Sequence, residues 1–138
     1  MAKAMIAALC ACAFVGSATA GESMKLQING SDYIVQTEDN ETVADIVAHL
    51  PLSLELVRYA GHEYYATLPF TPRESATQTS KLGAGYIYYW GGGNAFVVNF
   101  VDYDIAPYHS VPIGRITDMS AVDVLRHSEN NVPVMVVK

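Results

Sequence analysis

Short runs of alternating apolar and polar residues, separated by glycine-containing turns, dominate the chain after residue 23. Leu26 and Ile28 alternate with polar neighbours up to Asn29-Gly30, and residues 33–35 resume the apolar pattern on the other side. An Asn-Gly pair between two such runs is a strong sequence signal for a β-hairpin, because both residues accept positive φ. The chain therefore predicts a hairpin here.

The same pattern recurs along the chain and predicts further strands. Residues 54–59 and 63–68 flank a turn at Ala60-Gly61-His62, and residues 86–90 and 95–100 flank the glycine run at 91–93. Residues 69–81 and 102–111 are predicted as polar or surface loops. Further strands are predicted at 112–117 and 132–137, where Pro133 suits a sheet edge or the beginning of a strand.

Two segments have helical periodicity instead. Val43, Ile46, Val47 and Leu50 fall on one helical face, with Asp39 or Asn40 as the N-cap and Pro51 as the stop. A second, short helix is predicted around Val122 and Leu125, beginning at Asp118 or Ser120. About seven strands and two helices indicate a mostly-β barrel with helices over its open ends.

The first twenty residues have the composition of an export signal. Lys3 precedes an apolar run at residues 4–15, and Ala18-Thr19-Ala20 provides small residues for cleavage. Two alternatives are a buried N-terminal helix and a lipoprotein acylated at Cys12. The preferred interpretation is a signal peptide at 1–20 and one domain at 21–138, exported to the periplasm or secreted. Cleavage would remove both cysteines, so the mature chain would have no disulfide.

Composition and charge exclude several classes of partner. The chain is 51% hydrophobic and 16% charged, as expected for a folded domain. Without Lys3, seven basic residues face 14 acidic ones, and the basic residues are scattered. Nucleic acids and anionic membranes need a clustered basic surface, so we expect neither as a partner of the mature chain.

The sequence contains no recognisable catalytic or metal-binding motif. The four histidines lack the four-residue spacing of a zinc-binding helix, and Asp102-x-Asp104 lacks the glycine and glutamate of a calcium loop. There is no G-x-S-x-G motif. We expect no metal, no cofactor and no catalytic residue of these classes.

Several motifs in order resemble the bacterial cyclophilin-like domain family of small β-barrels. They are EDNET at 38–42, LPL at 50–52, Gly61-x-Glu63-x-Tyr65, Leu68-Pro69, Gly83-x-Gly85-Tyr86-Ile87-Tyr88-Tyr89, Gly93-Asn94 and Ile113-Gly114-Arg115-Ile116. The resemblance implies a closed eight-stranded barrel with a helix at each end. The Phe-His-Arg motif of catalytic cyclophilins is absent. Where its arginine would be needed, this chain has Tyr64, Tyr65 and Ala66 if residues 63–68 form the matching strand.

Aromatic residues are the one enrichment that suggests a binding site. Tyr86, Tyr88 and Trp90 should face one side of their strand, and Ile87 and Tyr89 the other. One side must be core. The other either lines a groove for a ligand or packs under a loop or helix, and the sequence leaves both open.

Five residues are the candidate ligand contacts: Tyr65, Tyr89, Trp90, Asn94 and Arg115. The Arg115 guanidinium could bind a carboxylate or a peptide carbonyl, or it could pair with a nearby aspartate and fix a loop. Asn94 could simply supply the turn conformation after three glycines.

The sequence thus favours a non-catalytic module that binds a peptide segment or a small molecule in an aromatic groove. The alternative is a divergent peptidyl-prolyl isomerase in which Arg115 or tyrosine hydroxyls replace the missing arginine. A third possibility is an accessory domain that works beside a partner protein. Any partner protein is unidentified by the sequence.

Overall fold

The computed structural model describes residues 23–138. The predicted signal peptide at residues 1–20 lies outside these residues and stays a prediction. The strands are β1 Ser23–Ile28, β2 Ser31–Thr37, β3 Leu52–Tyr59, β4 Glu63–Thr67, β5 Lys81–Leu82, β6 Tyr86–Trp90, β7 Ala95–Asn99, β8 Tyr103–Asp104, β9 Val111–Ile116 and β10 Asn131–Val137. The helices are α1 Glu41–Ala48, α2 Ser120–Arg126 and a single 3-10 turn at Gly91–Gly93.

Eight of the strands form a closed antiparallel barrel in the order β1-β10-β3-β4-β7-β6-β9-β2. The prediction of a mostly-β closed barrel of about eight strands with two short helices is confirmed. The remaining strands, β5 and β8, form a separate two-stranded sheet. β8 lies within the loop predicted at 102–111, and β5 begins at the last residue of the loop predicted at 69–81. Strands of two residues are too short to produce a period in the sequence.

The predicted turns and caps are present where the sequence placed them. Asn29 and Gly30 have φ of 51° and 82°, and they join Ile28 to its partner Ser31. Asn40 is the N-cap of α1, because its Oδ1 accepts a 2.9 Å hydrogen bond from the Val43 N–H. The Asn40 amide also donates to the Pro112 carbonyl, which ties α1 to β9.

Alternation divides barrel strands such as β4 and β6 between an interior and an outer face. On β4, Tyr64 and Ala66 point into the core, and on β6 Ile87 and Tyr89 do the same. Both helices add apolar residues to this interior, among them Ile46 from α1 and Leu125 from α2. The outer face is the side of the barrel wall that points away from this core.

One end of the barrel is closed by Arg58 and α2. The Arg58 guanidinium donates to the carbonyls of Leu125 and Arg126 at the C-terminal end of α2. It also donates a 2.9 Å hydrogen bond to the Tyr64 hydroxyl and lies 4.6 Å from the centre of the Phe100 ring. A cation therefore satisfies the negative end of the helix and fixes it over the core.

Part of the outer face of β6 and β7 is covered by the chain around β5. Tyr88, Val97 and Leu82 are buried together in a second apolar cluster. The Gly83 N–H donates 2.9 Å to the Tyr88 hydroxyl, and the Ala84 N–H donates 2.8 Å to Asp102. Tyr88 therefore packs under a loop and does not line a groove, which is one of the two alternatives that the sequence left open.

Candidate functional site

A groove of about 650 Å³ lies on the outer face of the barrel. The outward side chains of β4, β6 and β7 form its floor, and residues 103–110 form the opposite wall. Ligand pockets typically have volumes of about 300–1,000 Å³. Five aromatic side chains line the groove: Tyr59, Tyr65, Trp90, Tyr103 and Tyr108.

Strand register explains why the floor is deep. Tyr65 on β4 pairs with Val97 on β7, and Trp90 on β6 pairs with Ala95 on β7. The central strand of the floor thus carries small side chains, whereas the strands on either side carry large rings. Tyr65 and Trp90 thus flank the smaller side chains of β7 on the floor of the groove.

At one end of the groove, His62 is buried and held in a single orientation. Its imidazole stacks on Tyr103, with ring centres 3.8 Å apart and an interplanar angle of 9°. The Asn99 amide donates to the Val101 carbonyl, which turns Asn99 Oδ1 toward His62 Nδ1 at 3.3 Å. Asn99 thus presents an acceptor to His62 Nδ1, which suits the tautomer that carries its proton on that atom.

Glu63 lies next to His62 and points into the groove. Its side chain is only 14% exposed, and Oε1 is 3.4 Å from His62 Nδ1. Burial penalises the charged carboxylate and raises the pKa of Glu63 from 4.5 to about 7. No lysine or arginine in residues 23–138 forms an ion pair with it.

At the other end of the groove, Trp90 lies over the glycine turn. A Cβ atom on Gly92 would approach the indole ring to 2.7 Å, and one on Gly93 to 3.0 Å. Residues without side chains are therefore needed beneath the ring. Tyr108 meets Trp90 edge to face at 6.1 Å, and these two residues are 61% and 36% exposed, respectively.

The wall opposite the floor contributes the second carboxylate, Asp104. Its Oδ1 accepts from the Ala106 N–H at 2.9 Å, and its Oδ2 is 3.8 Å from Lys81 Nζ. The Ala106 hydrogen bond lowers the pKa of Asp104, so this group stays charged. The charged side chains that line the groove are acidic, and no lysine or arginine is among its lining residues.

The structure brings two of the five predicted ligand contacts into the groove, Tyr65 and Trp90. Tyr89 points into the barrel core, and its hydroxyl donates to Asn94. Asn94 has φ of 50° and donates to the carbonyls of Leu68 and Phe70. Arg115 donates a 3.1 Å hydrogen bond to Gln36 on β2 and lies outside the groove lining.

Several lining residues were missed by the sequence reasoning. Glu63 could have been found, because it is two residues from Tyr65 on the same strand and must share its face. His62 belongs to the same Gly61-x-Glu63-x-Tyr65 motif. Tyr103 and Tyr108 come from a segment without regular periodicity, and nothing in the sequence indicates where such a segment folds back.

The described part of the chain has neither a metal-binding cluster nor a membrane-spanning helix. Residues 23–138 contain no group of three or more His, Cys, Asp or Glu side chains arranged to hold a metal ion. Among the same residues, none of the helices has the length and apolar character needed to cross a membrane.

Comparison with known proteins identifies relatives in fold. The model of the Cyclophilin-like family matches residues 26–137. A solution structure of a hypothetical protein from Archaeoglobus fulgidus aligns at a TM-score of 0.53 and 18% identity, over 83% of this chain and 92% of that one. The structure of McbB in complex with tryptophan aligns at a TM-score of 0.60 and 12% identity, over 83% of this chain and 44% of McbB. At identities this low, the similarity of both structures to this chain shows a shared fold alone. No curated protein matches the chain significantly in sequence.

Proposed function

The chain belongs to the cyclophilin-like family, and on that premise we propose that it is an exported, non-catalytic module that binds a peptide segment or a small molecule. The binding site is the groove between the β4-β7-β6 outer face and residues 103–110. Tyr65 and Trp90 contact the ligand from the floor, and Tyr108 contacts it from the opposite wall. The mature protein acts in the periplasm or after secretion.

A single observation carries this proposal, namely the groove of about 650 Å³ lined by aromatic rings from separate parts of the chain. Tyr59 ends β3, Tyr65 lies on β4, Trp90 ends β6, and Tyr103 and Tyr108 belong to the wall. Aromatic side chains offer large apolar area at little cost in conformational entropy, so they are common in binding sites. Trp90 and Tyr108 keep enough exposure to meet a ligand directly.

The isomerase alternative has less support from the geometry. Its proposed substitute for the missing arginine was Arg115, whose guanidinium bonds to Gln36 and lies outside the groove lining. Tyrosine hydroxyls remain in the groove, so the experiment below includes a direct readout of prolyl isomerisation.

The export proposal is supported by the N-terminal sequence alone. Lys3, the apolar run at 4–15 and the small residues 18–20 have the order of a signal peptide. Expression of the full chain in a bacterial host, followed by fractionation and mass spectrometry, tests this proposal. We expect a periplasmic or secreted product beginning at Gly21. A cytoplasmic product that keeps residues 1–20 would contradict it.

Binding is tested by NMR titration of the protein with short proline-containing peptides and with a library of small aromatic compounds. We expect chemical-shift changes concentrated at Tyr65, Trp90 and Tyr108. Exchange spectroscopy on the peptide reports cis/trans interconversion, which takes tens to hundreds of seconds without a catalyst. Accelerated exchange would overturn the non-catalytic assignment. The absence of groove shifts with every compound would overturn the proposed site.

A further inference from the structure

Glu63 differs from the other carboxylates that the structure fixes in place. Asp45 pairs with the Arg73 guanidinium, and Asp104 accepts from a backbone N–H and lies near Lys81. Asp118 accepts from the Ser120 N–H. In residues 23–138, the polar contact of the Glu63 carboxyl is His62 Nδ1 at 3.4 Å, an N–H already directed at Asn99. A buried carboxylate normally has a cation or several hydrogen bonds to offset its lost hydration.

Two tyrosines neighbour Glu63, namely its cross-strand partner Tyr59 on β3 and Tyr65 on β4. Tyr65 follows Glu63 on the same face of β4, and residues two apart on a strand lie about 7 Å from each other. The ring of Tyr59 meets that of Tyr65 edge to face at 6.1 Å. Aromatic faces attract cations, and the attraction strengthens where water is excluded. A carboxylate beside such faces is the usual composition of a site for an organic ammonium group.

The charges of the groove disfavour an anionic ligand. Glu63 and Asp104 both line it, no lysine or arginine does, and Lys81 lies beside Asp104 outside the lining. An anionic ligand would be repelled by Asp104 and would gain no cationic partner from the lining.

We propose that the ligand of this groove is a small organic cation whose ammonium group binds against Glu63 and whose apolar body lies along Tyr65 and Val97 toward Trp90. This inference rests on the proposed function and specifies the ligand class of the same site. Glu63 pairs with Asn99 across the floor, whereas Trp90 pairs with Ala95. Glu63 and Trp90 are thus four residues apart along the strands and two strands apart across the sheet. This separation corresponds to roughly 15 Å. The site thus suits an elongated amine.

Binding measurements with three compounds of one length test the charge requirement. They are 4-phenylbutylamine, the neutral 4-phenyl-1-butanol and the anionic 5-phenylpentanoate, each titrated into the protein and followed by NMR at Glu63, Tyr65 and Trp90. We expect the amine to bind at least about tenfold more tightly than the alcohol, as a charge-assisted hydrogen bond provides. The anion should bind most weakly.

Glu63→Gln and Glu55→Gln form a matched pair of variants. Both remove one negative charge, but Glu55 is exposed on β3 and lies outside the groove lining. In Glu63→Gln, the amine and the alcohol should bind with about equal affinity. In Glu55→Gln, the preference for the amine should be unchanged. Because burial already favours the neutral form of Glu63, the glutamine should preserve the fold.

The pH dependence separates Glu63 from the groups that face it. These are His62 from the β3-β4 turn, Tyr59 from β3, Tyr65 from the floor, and Tyr103 and Asp104 from the wall. Amine affinity should rise from about pH 5 to about pH 8 as Glu63 loses its proton. A rise that persists in Glu63→Gln would assign the effect to His62 and contradict the inference.

The other outcomes distinguish the two proposals. Equal binding of amine and alcohol in the groove would overturn the cation inference and leave the proposed function standing. Tightest binding of the anion would also overturn the cation inference and leave the proposed function standing. Failure of all three compounds to shift any groove resonance at millimolar concentration would overturn the cation site and count against the groove as a small-molecule site.

Discussion

The hydroxyl group of Tyr89 donates a 2.7 Å hydrogen bond to Oδ1 of Asn94 across the turn between β6 and β7. The amide of Asn94 then donates to the carbonyls of Phe70 at 2.9 Å and Leu68 at 3.2 Å. Because the Tyr89 ring is buried in the core, this chain of bonds connects the barrel interior to the turn and to the segment after β4. It holds the turn on which the Trp90 ring rests.

We expect substitutions in this pair to reduce stability. Tyr89→Phe should lower the free energy of unfolding by about 1 kcal/mol, the usual net value of one hydrogen bond. Asn94→Ala should cost more, roughly 2–3 kcal/mol, because it leaves the Tyr89 hydroxyl unpaired and places alanine at a φ of 50°. Urea denaturation measures both changes. A Tyr89→Phe protein of unchanged stability that binds ligand less well would restore Tyr89 as a direct contact.

The carboxyl group of Glu63 should make stability depend on pH in the direction opposite to most acids. Its pKa is about 7 in the folded protein and 4.5 in the unfolded chain, so the folded state binds the proton more tightly. The free energy of unfolding should therefore fall by as much as ~3 kcal/mol as pH rises from about 4.5 to about 7. Above about pH 7 it should stay level.

Glu63→Gln tests this prediction, because glutamine cannot ionise. The variant should lose the decline over that pH range and should be more stable than the natural protein at pH 8. Thermal unfolding across the pH range provides the measurement, with Glu55→Gln as the control of equal charge. An unchanged pH profile in Glu63→Gln would show that another group is responsible.

Asp45 and Arg73 connect α1 to the segment after β4. Asp45 accepts hydrogen bonds from the Arg73 backbone N–H at 2.7 Å and from its guanidinium at 2.9 Å. These bonds lower the pKa of Asp45 from 3.8 to about 2. Their contribution should be present above about pH 4 and should disappear as pH falls toward 2.

Asp45→Asn should remove the loss of stability that accompanies acidification below about pH 4. It should also loosen the segment after β4 that contains Arg73. Faster amide hydrogen exchange at residues 73–75 and easier proteolysis of the segment are the expected observations. Asp32→Asn is the matched control, since Asp32 is exposed on β2 and takes no part in the Asp45–Arg73 contact. Equal exchange in both variants would mean that the Thr42 contacts to Arg73 and Ser75 hold the segment by themselves.

Tyr108 and Ile34 provide a test of the groove with little risk to the fold. They are 61% and 60% exposed, but only Tyr108 lines the groove. Tyr108→Ala should weaken groove binding of any ligand found by the titrations, by about tenfold for a lost aromatic contact. Ile34→Ala should leave affinity unchanged, and both variants should keep their unfolding temperature to within a few degrees. Equal affinity loss in both would argue against the groove.

Much of the barrel could be predicted because its local signals are strong. Asn29-Gly30 identified the first hairpin, Asn40 capped α1 as expected, and Pro133 lies near the beginning of β10, before the pairing with β1 starts. The alternation along β6 was also correct, with Ile87 and Tyr89 on the side opposite Tyr88.

The composition of the site was harder to predict. Alternation separates two faces of a strand, but it does not say which face is core when both carry tyrosine. The sequence therefore suggests Tyr89 as a ligand contact, whereas its ring lies in the core. Tyr103 and Tyr108 reach the groove through a segment whose path depends on long-range contacts, such as the Thr79–Ser110 pairing. Arg115 finds its partner on β2, a strand far away in sequence.

The closed order of the eight strands limits how the proposed binding site can vary. Each barrel strand has a neighbour on both sides, so a peptide cannot join this ring as an additional strand, and recognition depends on side chains. The floor of the groove belongs to the ring, whereas its opposite wall is a single segment, residues 103–110. Exchange of that segment would alter ligand preference and leave the scaffold intact, which makes the wall the natural place for selection or engineering to create new specificities.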